Sequence, residues 1–192
     1  MSDAHARWYF GCPLAGKTLL ASIHFQAKVI ERQVPGIIID SEGASNFQDV
    51  AHAGSVDELV ERVWTRGETL AFIPDDQAQV DRISEACRFP GEVVLFVDEA
   101  SHWLSRGRGT GTPLLRLLRT CRHRGTDVYL TTQHLSGDTP AEALALAPEL
   151  FIFRTTSWPA LERLQAQYRL DPDALQLLPE LTYIRVSAGF FS

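Results

Sequence analysis

The eight residues Gly11, Cys12, Pro13, Leu14, Ala15, Gly16, Lys17 and Thr18 constrain this 192-residue chain more than any other feature. They satisfy the spacing G-x-x-x-x-G-K-[ST]. In that spacing the glycines let the backbone turn tightly enough for successive N–H groups to cradle phosphate oxygens. Such a loop needs a strand before it and a helix after it, because the helix N-terminus turns the positive end of its dipole toward the anion. Both are legible here. Residues 8–12 read as a strand and 17–34 as a helix. Gly11 through Leu19 are therefore the candidate contacts to ATP, with Lys17 reaching the β- and γ-phosphates and Thr18 ligating Mg²⁺.

The run from Glu92 to Val97 is an apolar strand that ends in two carboxylates, Asp98 and Glu99. In an open α/β sheet the carboxyl ends of the strands face the ligand crevice. Asp98 there would hold Mg²⁺, and Glu99 would accept a proton from an attacking water. The next strand, 128–132, runs into Gln133 at the same sheet edge, placed to sense a γ-phosphate or orient the water. Further strands are expected at 36–40, 69–74, 150–154 and 182–186. Helices are expected at 57–66, 75–88, 113–122, 140–147 and 159–168. Several of the strands are β-branched and apolar on both faces, as buried parallel strands are. The alternation predicts an α/β fold: a three-layer sandwich with a central, mostly parallel sheet, with 1–192 forming one domain.

Charge is unevenly placed. The chain carries −6 overall, yet residues 101–126 hold six arginines and no acid, which leaves −6 − 6 = −12 elsewhere. Two of them, Arg106 and Arg108, lie in a Gly-rich stretch suited to DNA phosphates without sequence reading. Arg116, Arg119 and Arg122 fall on one helix face. Of the arginines just before the next strand, Arg119, Arg122 and Arg124 are candidates to reach a neighbouring subunit's γ-phosphate. The three cysteines form no CxxC pair, which disfavours a disulfide framework or zinc site. No apolar run approaches the roughly 20 residues that span a bilayer, and the N-terminus lacks a signal-peptide layout. A cytoplasm-like compartment is expected.

The order GCPLAGKT, VVLFVDEA, RTCRHRGTDVYLTTQ resembles the FtsK–HerA superfamily of ring-shaped DNA-pumping ATPases over about 8–154. The stretch RHRGTDVYLTTQ is especially similar to the viral branch, which holds genome-packaging ATPases and related filamentous-phage assembly proteins. This resemblance implies a RecA/FtsK-like P-loop fold and hydrolysis of ATP with Mg²⁺. It further implies a homo-oligomeric ring, expected to be a hexamer, that threads double-stranded DNA. Arg122, three residues before Gly125, takes the place of the family's trans-acting arginine, with Arg119 and Arg124 close by. A capsid or portal-vertex partner follows, with the host cytoplasm or the virion's packaging vertex as location. A chain close to a bare motor core, without a separate DNA-recognition or membrane-anchoring domain, is expected. Competing readings are a phage-assembly or DNA-processing translocase, a small-molecule P-loop kinase, and a nucleotide-binding protein without turnover.

Overall fold

The computed structural model describes residues 5–41, 47, 49–88, 92–104, 111–135 and 139–187. Along the chain run β1 (Ala6–Phe10), α1 (Lys17–Arg32), β2 (Gly36–Ile39), α2 (Val56–Arg66) and β3 (Leu70–Phe72). Then come α3 (Gln77–Ala86), β4 (Val94–Val97), α4 (Ala100–Trp103), α5 (Pro113–Arg124), β5 (Asp127–Thr132) and α6 (Ala141–Ala145). The last are β6 (Glu149–Phe153), α7 (Trp158–Tyr168), α8 (Pro172–Gln176) and β7 (Tyr183–Ser187). One sheet joins the strands in the order β3-β2-β4-β5-β1-β6-β7. Every pairing is parallel except β6 with β7, which closes one edge antiparallel. The expected α/β sandwich with a mostly parallel sheet is what the chain forms. Because the first six strands are parallel, their carboxyl ends share one edge, and Lys17, Thr18, Asp98, Glu99 and Gln133 gather there, while the expected arginines of α5 do not.

Strand periodicity sorts the core into two faces. Trp8, Phe10, Ile37, Leu95, Val128 and Leu150 turn to one side, and the buried residues of α2 through α8 meet them there. Tyr9, Ile38, Phe96, Tyr129 and Phe151 turn to the other, where α1 is the one described helix that contributes buried residues. α1 thus forms its layer alone among the described helices. Phe25 seats it, edge-on to Phe47, Phe96 and Tyr129 at centroid distances of 5.4, 5.8 and 6.2 Å. Such aromatic pairs contribute about 0.5–1.5 kcal/mol each beyond simple burial. Phe25→Ala would therefore loosen the helix that carries the phosphate loop.

Helix ends follow local chemistry. Ser55 caps α2 by accepting from the Glu58 N–H at 3.1 Å, while Glu58 accepts from the Gly54 N–H at 2.8 Å. Asp76 caps α3 in the same way. Thr112 caps α5, whose first residue is Pro113, a position where the missing N–H costs nothing. The far end of α1 is tied down by charge: Arg32 donates to Gly125 O at 2.8 Å and to Asp127 at 2.6 Å. Among the described residues no helix is long and apolar enough to cross a membrane.

Candidate active site

The phosphate loop hangs from two strand ends. Gly11 N–H donates to Thr132 O at the end of β5 (3.3 Å), and Cys12 N–H donates to Arg154 O just past β6 (2.9 Å). A Cβ on Gly11 would stand 2.7 Å from Phe153 Cβ, so only glycine fits that close approach. Ala15 N–H closes a turn onto Cys12 O at 3.3 Å. Pro13 and Leu14 form the exposed tip, Leu14 at φ 60°, and Gly16 begins α1 at φ 99°. Among the described residues, no backbone acceptor serves the N–H groups of Leu14, Gly16, Lys17, Thr18 or Leu19. A helix start leaves such groups open, and here the loop adds more, so the set is suited to an anion.

Lys17 is buried, with its Nζ 3.6 Å from Glu99 Oε1. Thr18 follows, half-buried. The strand carrying Asp98 and Glu99 is not beside β1, because β5 lies between β4 and β1. At about 4.8 Å per strand, the acidic pair is set roughly 10 Å from the loop's own strand, and Lys17 bridges that gap. Gln133, at the end of the intervening β5, joins them: its backbone N–H donates to Glu99 Oε2 at 3.0 Å. Glu99 is buried and adopts φ 45°, a left-handed conformation that costs a non-glycine residue about 1–2 kcal/mol. Strain of this kind clusters at working sites.

A residue outside the expected set organises the pair. Thr131, fully buried on β5, accepts from Glu99 N–H at 3.2 Å and donates its hydroxyl hydrogen to Asp98 Oδ1. Ser41 donates to Asp98 O at 2.7 Å and is itself held by the Trp103 indole at 3.0 Å. Burial pushes the Asp98 carboxyl above its ordinary value. The Thr131 hydrogen bond and Lys17 oppose that shift, while Glu99 and Asp40 add to it. Asp40, buried at the end of β2, was not singled out from the sequence. The two successive threonines that end β5 after Val128, Tyr129 and Leu130 are the sequence signal for Thr131.

The donor set fits the implied metal. Asp98 and Thr18 offer hard oxygens, as Mg²⁺ requires; among the described residues no group of three or more His, Cys, Asp or Glu could hold a metal by protein ligands alone. Mg²⁺ takes one or two protein oxygens and fills the rest of its shell with waters and substrate phosphates.

The arginines divide. Arg116 pairs with Glu85 of α3 at 2.9 Å, and Arg119 pairs with Glu142 of α6 at 2.6 Å. Neither lies at the loop. Arg122 and Arg124 are exposed at the end of α5, directly before β5 begins, and so at the sheet edge opposite the loop. Arg106 and Arg108 lie outside the described residues. Arg163 donates to Leu135 O and Thr139 O, both at 3.0 Å, and so steadies the chain that leaves Gln133.

A family model described as zonular occludens toxin (Zot) matches residues 15–138, a span that takes in Lys17, Asp98, Glu99 and Gln133. The chain belongs to the Zot family. A search of curated proteins finds no match. The genome packaging NTPase B204 of Sulfolobus turreted icosahedral virus 2, solved with ATP-γ-S, shares the fold. It is 17% identical, with 97% of this chain and 93% of that one aligned at a TM-score of 0.79. The DNA-packaging ATPase B204 of Sulfolobus turreted icosahedral virus aligns similarly, at 15% identity, 98% and 94% coverage and a TM-score of 0.78. The pCW3 conjugation coupling protein TcpA, with ATPγS, aligns at 12% identity and a TM-score of 0.58 over 98% of this chain and 61% of that one. The resemblance drawn from the sequence is borne out: this is a Zot-family P-loop protein with the fold of a viral packaging NTPase.

Proposed function

We propose that this Zot-family chain is a Mg²⁺-dependent ATPase that moves double-stranded DNA through a homo-oligomeric ring, residues 1–192 acting as one motor domain. Packaging of a viral genome into a preformed capsid is the use favoured, with a capsid or portal-vertex protein as partner and the host cytoplasm or packaging vertex as location. The observation that carries the reading is the buried group of Lys17, Glu99 and the Gln133 backbone beside a loop whose N–H groups are open. Such a group serves transfer of a phosphoryl group to water, and no acceptor pocket for a small alcohol is needed beside it. The likeness of fold to B204, named a genome packaging NTPase, supports the choice of cargo.

Lys17 faces Glu99. ATP bound on the open N–H groups would draw the ammonium toward its β- and γ-phosphates and release one oxygen of Glu99. That oxygen is then free to accept a proton from water, while the Gln133 N–H keeps hold of the other. Thr18 and Asp98 would hold Mg²⁺, which neutralises charge on the phosphates. Gln133 would report the γ-phosphate to β5, and Arg106 and Arg108 would meet DNA phosphates. Arg122 sits too far from its own loop to act there, so a role at the γ-phosphate is open to it only in a neighbour's site. A ring supplies that neighbour, and a hexamer is the expected size.

The test is the ATPase rate as a function of protein concentration, with and without long double-stranded DNA. Stimulation by DNA with a steeper-than-linear rise is expected. A rate linear in protein and indifferent to DNA would replace the motor with a small-molecule kinase or another solitary enzyme. Arg122→Ala should be inactive alone yet lend a working nucleotide pocket in mixed rings. Parental activity of the pure variant removes the trans role. A second use of the same motor, phage assembly or DNA processing, is in keeping with the likeness of fold to a conjugation coupling protein, and would appear as DNA stimulation without any capsid dependence.

A further inference from the structure

The phosphate loop hangs between β5 on one side and β6 on the other. Lys17, Asp98, Glu99 and Gln133 occupy the β5–β4 side. A linear triphosphate with its γ-end among those groups must run its nucleoside end the other way, over β6 and β7. The chain that crosses there is the turn before β7. Thr182 closes it, both its N–H and its hydroxyl donating to Pro179 O, at 3.3 and 2.7 Å. Glu180 pairs with Arg154 at 3.6 Å, and Arg154 is the residue whose carbonyl anchors Cys12 of the loop. The turn presents Leu181 directly to the loop: a Cβ on Gly16 would stand 2.7 Å from Leu181 Cδ2.

Leu181 is unusual in two ways. It is 63% exposed, although it is a large aliphatic side chain in a well-tied turn. It also adopts φ 59°, a conformation that leucine rarely takes. Among the described residues five non-glycines have positive φ. Gln33 and Arg169 end helices, where such a conformation is ordinary. The other three, Leu14, Glu99 and Leu181, lie at the loop edge. Neither exposure nor strain is needed to cover Gly16, which a small polar turn residue would do without either.

We infer that Leu181 is a nucleobase-positioning residue: its side chain forms one wall of the seat for the nucleoside, next to the phosphate loop. This rests on the nucleotide reading above and assigns the part of the substrate that the loop motif leaves open. The wall is aliphatic, with no donor or acceptor of its own. It therefore adds affinity for a purine without telling adenine from guanine.

The experiment measures dissociation constants of the parent, Leu181→Ala and Leu181→Gly for three probes: ADP, GDP and inorganic tripolyphosphate. Leu181→Ala is expected to weaken ADP and GDP by a similar factor of about tenfold and to leave tripolyphosphate unchanged. Leu181→Gly, which frees the backbone, should lose as much as Leu181→Ala. Equal loss for ADP and tripolyphosphate would make Leu181 a mere support of the loop and overturn the inference. So would ADP binding unchanged in either variant. A parent that binds tripolyphosphate as tightly as ADP also rejects the nucleoside seat while leaving the loop's role intact. A parent that binds none of the three removes the nucleotide reading, and this inference with it.

Discussion

The two edges of the sheet are both rich in charge, and they handle it in opposite ways. At the edge where the strands begin, every buried carboxylate is oversupplied with cations. Asp127, fully buried, accepts from Arg32 at 2.6 Å and lies 3.5 Å from Arg7. Glu149 accepts from Arg7 at 2.7 Å, from His5 at 3.1 Å and from Arg185. At the edge where the strands end, Glu99 is as deeply set and Asp98 is half-buried, yet one lysine stands 3.6 Å from only one of them. Three strained backbones lie at that same edge. The paired edge holds β1, β5, β6, β7 and α1 in register. The underpaired edge leaves carboxylates raised in energy and N–H groups open, a state that a metal ion and an anion would relieve together.

The largest expected effect belongs to Lys17. Lys17→Ala should abolish nucleotide binding and lower turnover by about 10³-fold or more, as loss of a phosphate-clamping cation does. It should also destabilise the chain, because Glu99 would remain buried without its partner. Adding Glu99→Gln to Lys17→Ala should recover most of that stability and none of the turnover. If the double variant stays as unstable as the single, the charge at this edge is not the source of its tension. Glu99→Gln alone is the next effect in size. Its amide oxygen can still accept from the Gln133 N–H, so ATP binding should persist while hydrolysis drops by about 10²–10⁴-fold. Stability to denaturant should hold, because the Asp98 carboxylate remains within electrostatic reach of Lys17 as a counter-charge. Hydrolysis at the parental rate would remove Glu99 as the proton acceptor.

The underpaired edge was the more legible in the sequence, and the reason is local. Gly11–Thr18 and Val93–Glu99 each carry their chemistry within one short run, so spacing alone placed Lys17, Thr18, Asp98 and Glu99. The alternation of apolar strands and capped helices likewise gave the sheet, down to the last strand at 182–186. What the sequence hid is what depends on distant contacts. Thr131 lies 33 residues from Asp98, and the pair of threonines that ends β5 does not by itself say which partner its hydroxyl takes. Leu181 meets Gly16 only because β7 returns beside β6. The paired edge was invisible for the same reason: Arg7, Asp127, Glu149 and Arg185 come from four strands. The arginine stripe of α5 shows the converse limit. Helical spacing put Arg116 and Arg119 together, yet α3 and α6 claim them separately.

A smaller effect, of another kind, tests the paired edge. Asp127→Asn leaves Arg32 and Arg7 facing a neutral group in a buried setting and should cost about 3–5 kcal/mol, read by denaturant unfolding. Turnover per folded molecule should not change, because the loop lies at the other end of the strands. A loss of turnover on the scale of Glu99→Gln would break the division between the two edges.

The smallest effect is a dependence on pH. Burial alone would raise the Glu149 carboxyl. Hydrogen bonds from His5, Arg185 and Arg7, with the nearby Arg7 charge, outweigh it and hold the group at about 2, below its ordinary 4.5. A carboxylate depressed on folding lends stability that is fully present above its ordinary value and is lost as pH falls through its folded value. The window therefore runs from about pH 4.5 down to about pH 2. The parent should exceed Glu149→Gln in stability at pH 6, and the gap should close as the pH is lowered through that window, since protonation brings the parent to the state the amide mimics. Denaturant midpoints taken at intervals from pH 6 to pH 2.5 would show it. A gap that stays constant across the series would mean that Glu149 holds β1, β6 and β7 by shape and not by charge. The contrast between a paired and an underpaired edge would then rest on Asp127 alone.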